Sequence, residues 1–490
     1  MIGCTRTVLV LTVACLAAAC SRAPLTTAAV FADGMVLQRN TTAPLWGRCE
    51  PGQRVRVKAS WLEREITTIT DLQGVWVAHL PTADAGGPHS ITIRGGGELE
   101  LDDVWLGEVW LCAGGVDMEW RLTPDSAGRG GGVTNAPELT ANADGLVRQF
   151  DVENSIAVFP RADCAGSWSV ASPQTVAAFS STAYAFATTL RRELNVPIGI
   201  LNATYPGARA QAWMGEFHVR ANQASLADAE VVDGLRANGV EVDAAQQAGA
   251  PSPLPPGSPT LVYNAMIVPL APFALRGVVW RDGQADLDRA GPYHQYQRTL
   301  AQGLRDLWCE PRLPFYVAQL PTRAQGDETG QWATVREGQR RVLDLPHTGL
   351  VVTADLGPVD DSSARNDAEV GRRFALWALA KNYGREQLTP SGPLLRKTTV
   401  EGDRLRLQFD HAEGLRARAG ALAGFEVAGA DNKYARAEAA LDGDSVVVKC
   451  AEVSAPRSVR YAFAAPERGN LTNSSGLPAA SFRVVIEPAK

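Results

Sequence analysis

The hydrophobic period of this chain changes twice, and that change most constrains its fold. From about Leu25 to Asp102 the apolar residues alternate with polar ones in short runs. Arg54-Val55-Arg56-Val57 and Ser90-Ile91-Thr92-Ile93-Arg94 are examples, punctuated by Pro51-Gly52 and Gly86-Gly87-Pro88. A period of two with one polar face reads as half-exposed antiparallel sheet. From about Val104 to Gly384 the apolar runs are unbroken: Ile198-Gly199-Ile200-Leu201, Gly277-Val278-Val279-Trp280 and Phe315-Tyr316-Val317-Ala318. Such runs fit strands covered on both faces. Between them lie stripes of helical spacing: Val176 to Leu194, Tyr293 to Trp308, and one through Val370, Phe374 and Trp377. The last should be capped near Asn366 and stopped at Gly384. After Pro390 alternation returns in Arg404–Phe409 and Ser445–Val448.

Strand alternating with helix predicts a parallel, three-layer α/β core. We place that core at residues 104–390, an N-terminal β domain at 21–103 and a C-terminal β-sandwich at 391–490. Residues 219–259 read as an insertion, Ala-rich and helical, leading into the stiff connector Pro251-Ser252-Pro253-Leu254-Pro255-Pro256-Gly257. Ligands of such a core are expected at the carboxyl ends of its strands.

The first residues predict export. Arg6 precedes an apolar run from Thr7 to Ala19, too short for a good membrane span. Leu16-Ala17-Ala18-Ala19-Cys20 resembles a bacterial lipobox, with Ala17 where leucine is usual. In that reading residues 1–20 are a leader and Cys20 is lipidated, placing the protein in the periplasm or at the outer membrane. With ordinary cleavage it is secreted. Any membrane attachment runs through Cys20 alone. A net charge of −6 gives no basic surface for nucleic acid. Cys49, Cys112, Cys164, Cys309 and Cys450 lack C-x-x-C spacing, so neither zinc nor redox chemistry is expected, and at most two disulfides can form. No metal or other cofactor is called for.

Four segments carry the functional signal. They are the stretch from Gly107 through Gly114-Gly115-Val116-Asp117-Met118-Glu119-Trp120; Thr204-Tyr205-Pro206-Gly207 running on to Trp213; Trp280-Arg281-Asp282-Gly283-Gln284-Ala285-Asp286; and Asp355-Leu356-Gly357-Pro358-Val359-Asp360-Asp361-Ser362-Ser363-Ala364-Arg365-Asn366 with Glu369-Val370-Gly371-Arg372-Arg373. Together they resemble the sialate O-acetylesterases, which read G-E-V-W-L-C-S-G-Q-S-N-M-E-W, S-S-W-G-G-T-P-x-E-A-W, G-V-I-W-Y-Q-G-E-S-N and D-L-G-x-P-D-D-I-H-P-R-N-K-x-E-V-G-R-R at these places. Val30–Arg39, Gly392-Pro393-Leu394 and Gly424–Gly429 extend the resemblance over nearly the whole mature chain. It implies an SGNH-hydrolase-like (flavodoxin-like) core and an acetylated glycan or sialic acid as partner.

The same resemblance implies that the reactive positions have been lost. The family's serine nucleophile falls on Val116, which has no lone pair to attack with. Its general-base histidine falls on Ser363, while the orienting carboxylate Asp360 is kept. The former oxyanion pocket falls on Gly115, Asp117, Pro206, Gly207, Asp282 and Gln284. Pro206 has no N–H to donate, and an ionised Asp282 would repel a developing oxyanion. Losing one member of a nucleophile–base unit costs about 10⁴- to 10⁶-fold in rate, so activity near background is expected.

Alternatives stay open at this stage. Ser362 and Ser363 as a new nucleophile pair, with a relocated base among His79, His89, His218, His294, His347 and His411, would give a working esterase, and a closed groove would leave a purely structural surface protein. Trp120, Trp213 and Trp280 flank the old site and are candidates for sugar stacking, with wall packing as the plainer reading. Asp282, Asp286 and Asp360 are candidates for a cation or a sugar hydroxyl, with ordinary loop carboxylates as the plainer reading.

Overall fold

The computed structural model describes residues 23–486 apart from 125–127, 129, 238, 241–242, 244–253, 256, 323–326, 328–329, 357–365 and 464–468. The leader with Cys20, the base position Ser363 and the acid Asp360 lie outside the described residues, as does most of the Pro-rich connector.

One strand joins the two periods read from the sequence. Glu98–Gly114 alternates between exposed and buried residues over its first half and is buried without interruption from Leu106 onward. Its first half pairs antiparallel with Gly86–Arg94 and parallel with Val36–Gln38 in the N-terminal β region. Its second half is the centre of the core sheet. Position 103–104 therefore falls inside a strand rather than in a linker. The core sheet runs Gly166–Val170, Val147–Val152, Ile198–Thr204, Glu98–Gly114, Gly277–Arg281, Phe315–Ala318, Thr348–Val351. Gly166–Val170 is an antiparallel edge and the other neighbours are parallel. From the central strand the chain goes out to Ile198–Thr204 on one side, then to Gly277–Arg281 on the other. The strand order reverses there, at the carboxyl end of Gly114, where sheets of this kind are expected to bind their ligands.

Helices cover both faces of the sheet. Ser181–Leu194 and Asp367–Asn382 pack with Trp110, Cys112, Val279 and Tyr316 on one face. Tyr293–Leu307 and Gln331–Arg340 pack over the other, with Trp213, Trp280 and Phe315. The sequence signals for these helices act as expected. Asn366 caps Asp367–Asn382 by accepting from the Glu369 N–H at 3.3 Å, and Gly384 follows with φ +66°. The stripe from Val176 is interrupted: a 3₁₀ turn ends at Ala178, and Ser180 caps a fresh helix by accepting from the Ala183 N–H. Within the insertion, Glu216–Ala221 and Leu226–Ala237 are helical. At the C-terminus two four-stranded sheets enclose Leu405, Leu407, Val446 and Val448 together with Phe425, Val459, Tyr461 and Phe482, which is a sandwich.

Glu108 ties three regions together. Its fully buried carboxylate accepts from Arg39 at 2.7 Å, Arg276 at 3.0 Å, Gln38 at 3.0 Å and the Tyr383 hydroxyl at 3.0 Å. Burial opposes its ionisation, but the two guanidiniums prevail and hold its pKa below the usual glutamate range. Cys49, Cys112, Cys164, Cys309 and Cys450 are all free thiols, so no disulfide forms among them. No helix of the described residues is long and apolar enough to cross a membrane.

Candidate functional site

The site is an elbow at the carboxyl end of the central strand. Gly114 has φ +144°, and a Cβ there would stand 2.2 Å from the Arg281 carbonyl oxygen, so only glycine lets the two strands approach. The Gly115 N–H donates to that same carbonyl at 3.2 Å, and the Tyr205 N–H donates to the Gly114 carbonyl at 2.9 Å. Three strand ends are thereby clamped together. The chain then turns into the one-turn helix Val116–Glu119, closed by the Met118 and Glu119 N–H groups on the Gly115 carbonyl. Val116 occupies its first position, half-buried, where the chain emerges from the clamp.

Asp282 lies directly against this elbow. A Cβ on Gly115 would be 2.5 Å from Asp282 Oδ1 and 3.4 Å from Oδ2. Oδ1 accepts from the Gly283 N–H at 2.7 Å, while Oδ2 is buried with no partner. Burial, with Asp286 and Asp117 adding negative charge nearby, drives its pKa well above the ordinary aspartate value. That shift works against the ionised carboxylate expected at this position, because burial disfavours the charged form. Behind it Asp286 is fully buried and accepts from the Ala210 N–H at 3.1 Å. Burial pushes its pKa from 3.8 up to about 7.

Asp117 and Gln284 form a pair. Gln284 Nε2 donates to Asp117 Oδ2 at 2.7 Å, joining the elbow helix to the turn that follows Gly277–Arg281. Pro206 and Gly207 are the central residues of a tight turn in which the Ala208 N–H donates to the Tyr205 carbonyl at 3.2 Å. Gly207 is exposed with φ +77°, the conformation such a turn demands at that place.

The tryptophans separate. Trp213 and Trp280 are each 1% exposed and meet edge to face at 5.4 Å in the core, so neither presents a ring to a sugar. That expectation is corrected for both: they are wall packing. Trp120 is half-buried, its ring steered by an Nε1–H bond to the Gly131 carbonyl at 3.0 Å. The histidines take other posts. His218 pairs with Asp306 at 2.8 Å, and His347 sits at the amino end of Thr348–Val351, opposite the end that forms the site. Among the described residues no group of acidic, cysteine or histidine side chains could hold a metal ion.

Comparison with known proteins decides the family. A carbohydrate acetylesterase from Xanthomonas citri has a solved structure that superposes with a TM-score of 0.81 at 34% identity, over 94% of this chain and 99% of that one. The chain belongs to the sialate O-acetylesterase family of carbohydrate esterases. Residues 255–380 match the family model described as carbohydrate esterase, sialic acid-specific acetylesterase. The human sialate O-acetylesterase is 25% identical over 74% of this chain and 72% of its own length, and the rat one 25% identical over 77% of each.

Set against the family pattern, two substitutions at the elbow are reciprocal. Where the family has asparagine after the nucleophile and glutamate after the Q-G turn, this chain has Asp117 and Gln284. The amide and the carboxylate have changed places, and in this chain the amide donates to the carboxylate. Sequence reading took these positions one at a time and missed the exchange. It also passed over Arg281, which stands where the family has tyrosine. Arg281 is buried and donates to Asp367 at 2.7 Å and to the Asp117 carbonyl at 3.1 Å, while the Ser181 hydroxyl donates to the other Asp367 oxygen at 2.9 Å. No motif marks such a residue, because its partners lie far away in sequence.

The pair makes a defined prediction. Gln284→Glu alone sets two carboxylates against each other and should cost about 2–3 kcal/mol. Adding Asp117→Asn should recover all but about 0.5 kcal/mol, as read by denaturant unfolding of both variants. Asp286 makes a second. Its folded-state pKa is raised, so the native state holds the proton more tightly than the unfolded chain. Its contribution is fully present below the unfolded value of 3.8 and is lost as pH rises through about 7. Stability should therefore fall between those pH values, and Asp286→Asn should flatten the fall by up to one proton's worth, about 1.4 kcal/mol for each pH unit.

Proposed function

We propose that this chain is an exported, catalytically silent member of the family that retains the cleft to bind a glycan. The observation that carries the reading is Val116, a half-buried side chain with no nucleophilic atom at the first position of the elbow helix, where the family has its serine. Three further features support it. Ser363 stands where the family has its base, so the retained Asp360 has no imidazole to orient. Pro206 supplies no N–H at the turn beside the elbow. The elbow itself keeps its clamp and its Asp117–Gln284 bond, although the reaction has no use for either without a nucleophile. The ligand class comes from the relatives, whose names specify acetylated carbohydrates and sialic acid. Export rests on the leader sequence, with Cys20 as the proposed site of lipid attachment.

With a chromogenic acetate ester the natural protein should show turnover indistinguishable from uncatalysed hydrolysis. Val116→Ser combined with Ser363→His, Asp282→Gln and Pro206→Gly should regain measurable esterase activity. Turnover by the natural protein that a single substitution at another serine abolishes would sink the silent reading. The lipid anchor has its own test. Expressed with its leader, the protein should fractionate with membranes and incorporate labelled palmitate, and Cys20→Ser should lose both. A Cys20→Ser protein that stays in the membrane fraction would contradict the anchor.

A further inference from the structure

One face of the N-terminal β domain lies within reach of Cys20, and its reading rests on the lipid attachment proposed there. Ala23 follows Cys20 by three residues. A peptide of that length spans at most about 10 Å. Whatever surrounds Ala23 is therefore kept within that reach of the bilayer that holds the acyl chains of Cys20.

Ala23 is fixed to the fold: its N–H donates to the Glu50 carboxylate, and Thr26 pairs with Arg48 on the strand Thr42–Arg48. Three turns gather at this end of the domain. The Cys49 N–H donates to the Gly74 carbonyl at 2.9 Å and the Gly52 N–H to the Thr70 carbonyl at 3.2 Å, while a Cβ on Gly97 would stand 3.8 Å from the Leu25 Cβ. These contacts join the turns at 50–53, 71–74 and 95–97 into one face around Ala23.

That face carries an apolar point which the fold does not use. Leu72 is 88% exposed, and no other large apolar side chain among the described residues is as exposed. Ile69, 60% exposed, ends the strand Ile66–Ile69 that leads into the same turn. It stands directly across from Arg54, so the two side chains share one side of the sheet. A single exposed leucine is ordinary, and exposure alone would assign it nothing. Its place beside a three-residue tether gives it a partner. The carboxylates here are engaged by backbone: Asp71 accepts from the Gln73 N–H at 2.9 Å and the Val75 N–H at 2.8 Å, and Glu50 accepts from Ala23. Arg48 and Arg54 are exposed, and Arg48 makes only a long bond of 3.4 Å to the Gln73 carbonyl. A guanidinium so placed can donate in pairs to a lipid phosphate.

We propose that this turn face rests on the phospholipid surface, with Leu72 entering the boundary between headgroups and acyl chains and Arg48 and Arg54 meeting phosphates. One leucine does not hold a protein to a bilayer; the lipid at Cys20 does that, and Leu72 fixes which side turns inward. The strand Glu98–Gly114 begins beside the 95–97 turn and runs 17 residues to the elbow. That is about 50 Å along the strand. The elbow is thereby presented away from the bilayer, toward ligands in the surrounding fluid.

The test uses the full chain, expressed with its leader, purified and placed in vesicles of phosphatidylethanolamine and phosphatidylglycerol. An environment-sensitive fluorophore is attached at Leu72→Cys in a Cys309→Ser background, since Cys49, Cys112, Cys164 and Cys450 are buried. A control label goes at Glu153→Cys, which is exposed just past the strand Val147–Val152 at the elbow end. Emission from position 72 should shift to the blue and be quenched by a lipid carrying a nitroxide at the top of its acyl chain. Emission from position 153 should do neither. Ile69→Cys reads the same face should the first variant fold poorly. Incorporation of labelled palmitate, measured on the same protein, separates the two claims. Lipidated protein whose labels at 72 and 69 stay in water would overturn this inference and leave the anchor intact, as would quenching at 153 equal to that at 72. Protein that carries no lipid would overturn both.

Discussion

The close approach of Gly114 to the Arg281 carbonyl is the contact on which the rest of this site depends. A side chain at Gly114 would collide with backbone, so the central strand and its neighbour can come together at their carboxyl ends only while glycine is kept. That approach turns the chain into the elbow helix, sets Val116 at its tip and brings Asp282 against Gly115. It also carries Arg281 inward to Asp367, the residue that opens the helix after the base segment. The geometry of the elbow is thus also the geometry that joins two halves of the core. Such a structure can lose its chemistry and still be obliged to keep its shape.

The substitutions sort along that line. Val116 removes a reactive atom and disturbs nothing that the fold needs. Asp117 and Gln284 exchange their groups, and a bond between them fastens the elbow to the following turn. Asp282 replaces a neutral amide with a carboxyl group, and burial raises its pKa well above the ordinary aspartate value. Its Oδ2 is buried without a hydrogen-bond partner, which is unusual in a native protein.

Much of the fold was legible in the sequence, and the reasons are local. Uninterrupted apolar runs marked the core strands, the Asn366 cap and Gly384 bounded a helix, and alternation marked the β regions at both ends. The continuity of Glu98–Gly114 was not legible, because a single strand there carries both periods and the change looks like a boundary. The reading failed in physical terms wherever a property belongs to a pair or a place. Burial of Trp213 and Trp280 follows from packing across the sheet. The raised pKa of Asp282 follows from its low-dielectric surroundings, and Arg281 matters through Asp367, which is remote in sequence.

The central claim is that the elbow retains the family's geometry without a working nucleophile. Intact-mass measurement after exposure to a serine-directed fluorophosphonate tests it most directly. The natural protein should remain unmodified under conditions in which an active esterase of the family is labelled to completion. A stoichiometric adduct on any one serine of the folded chain would contradict the account.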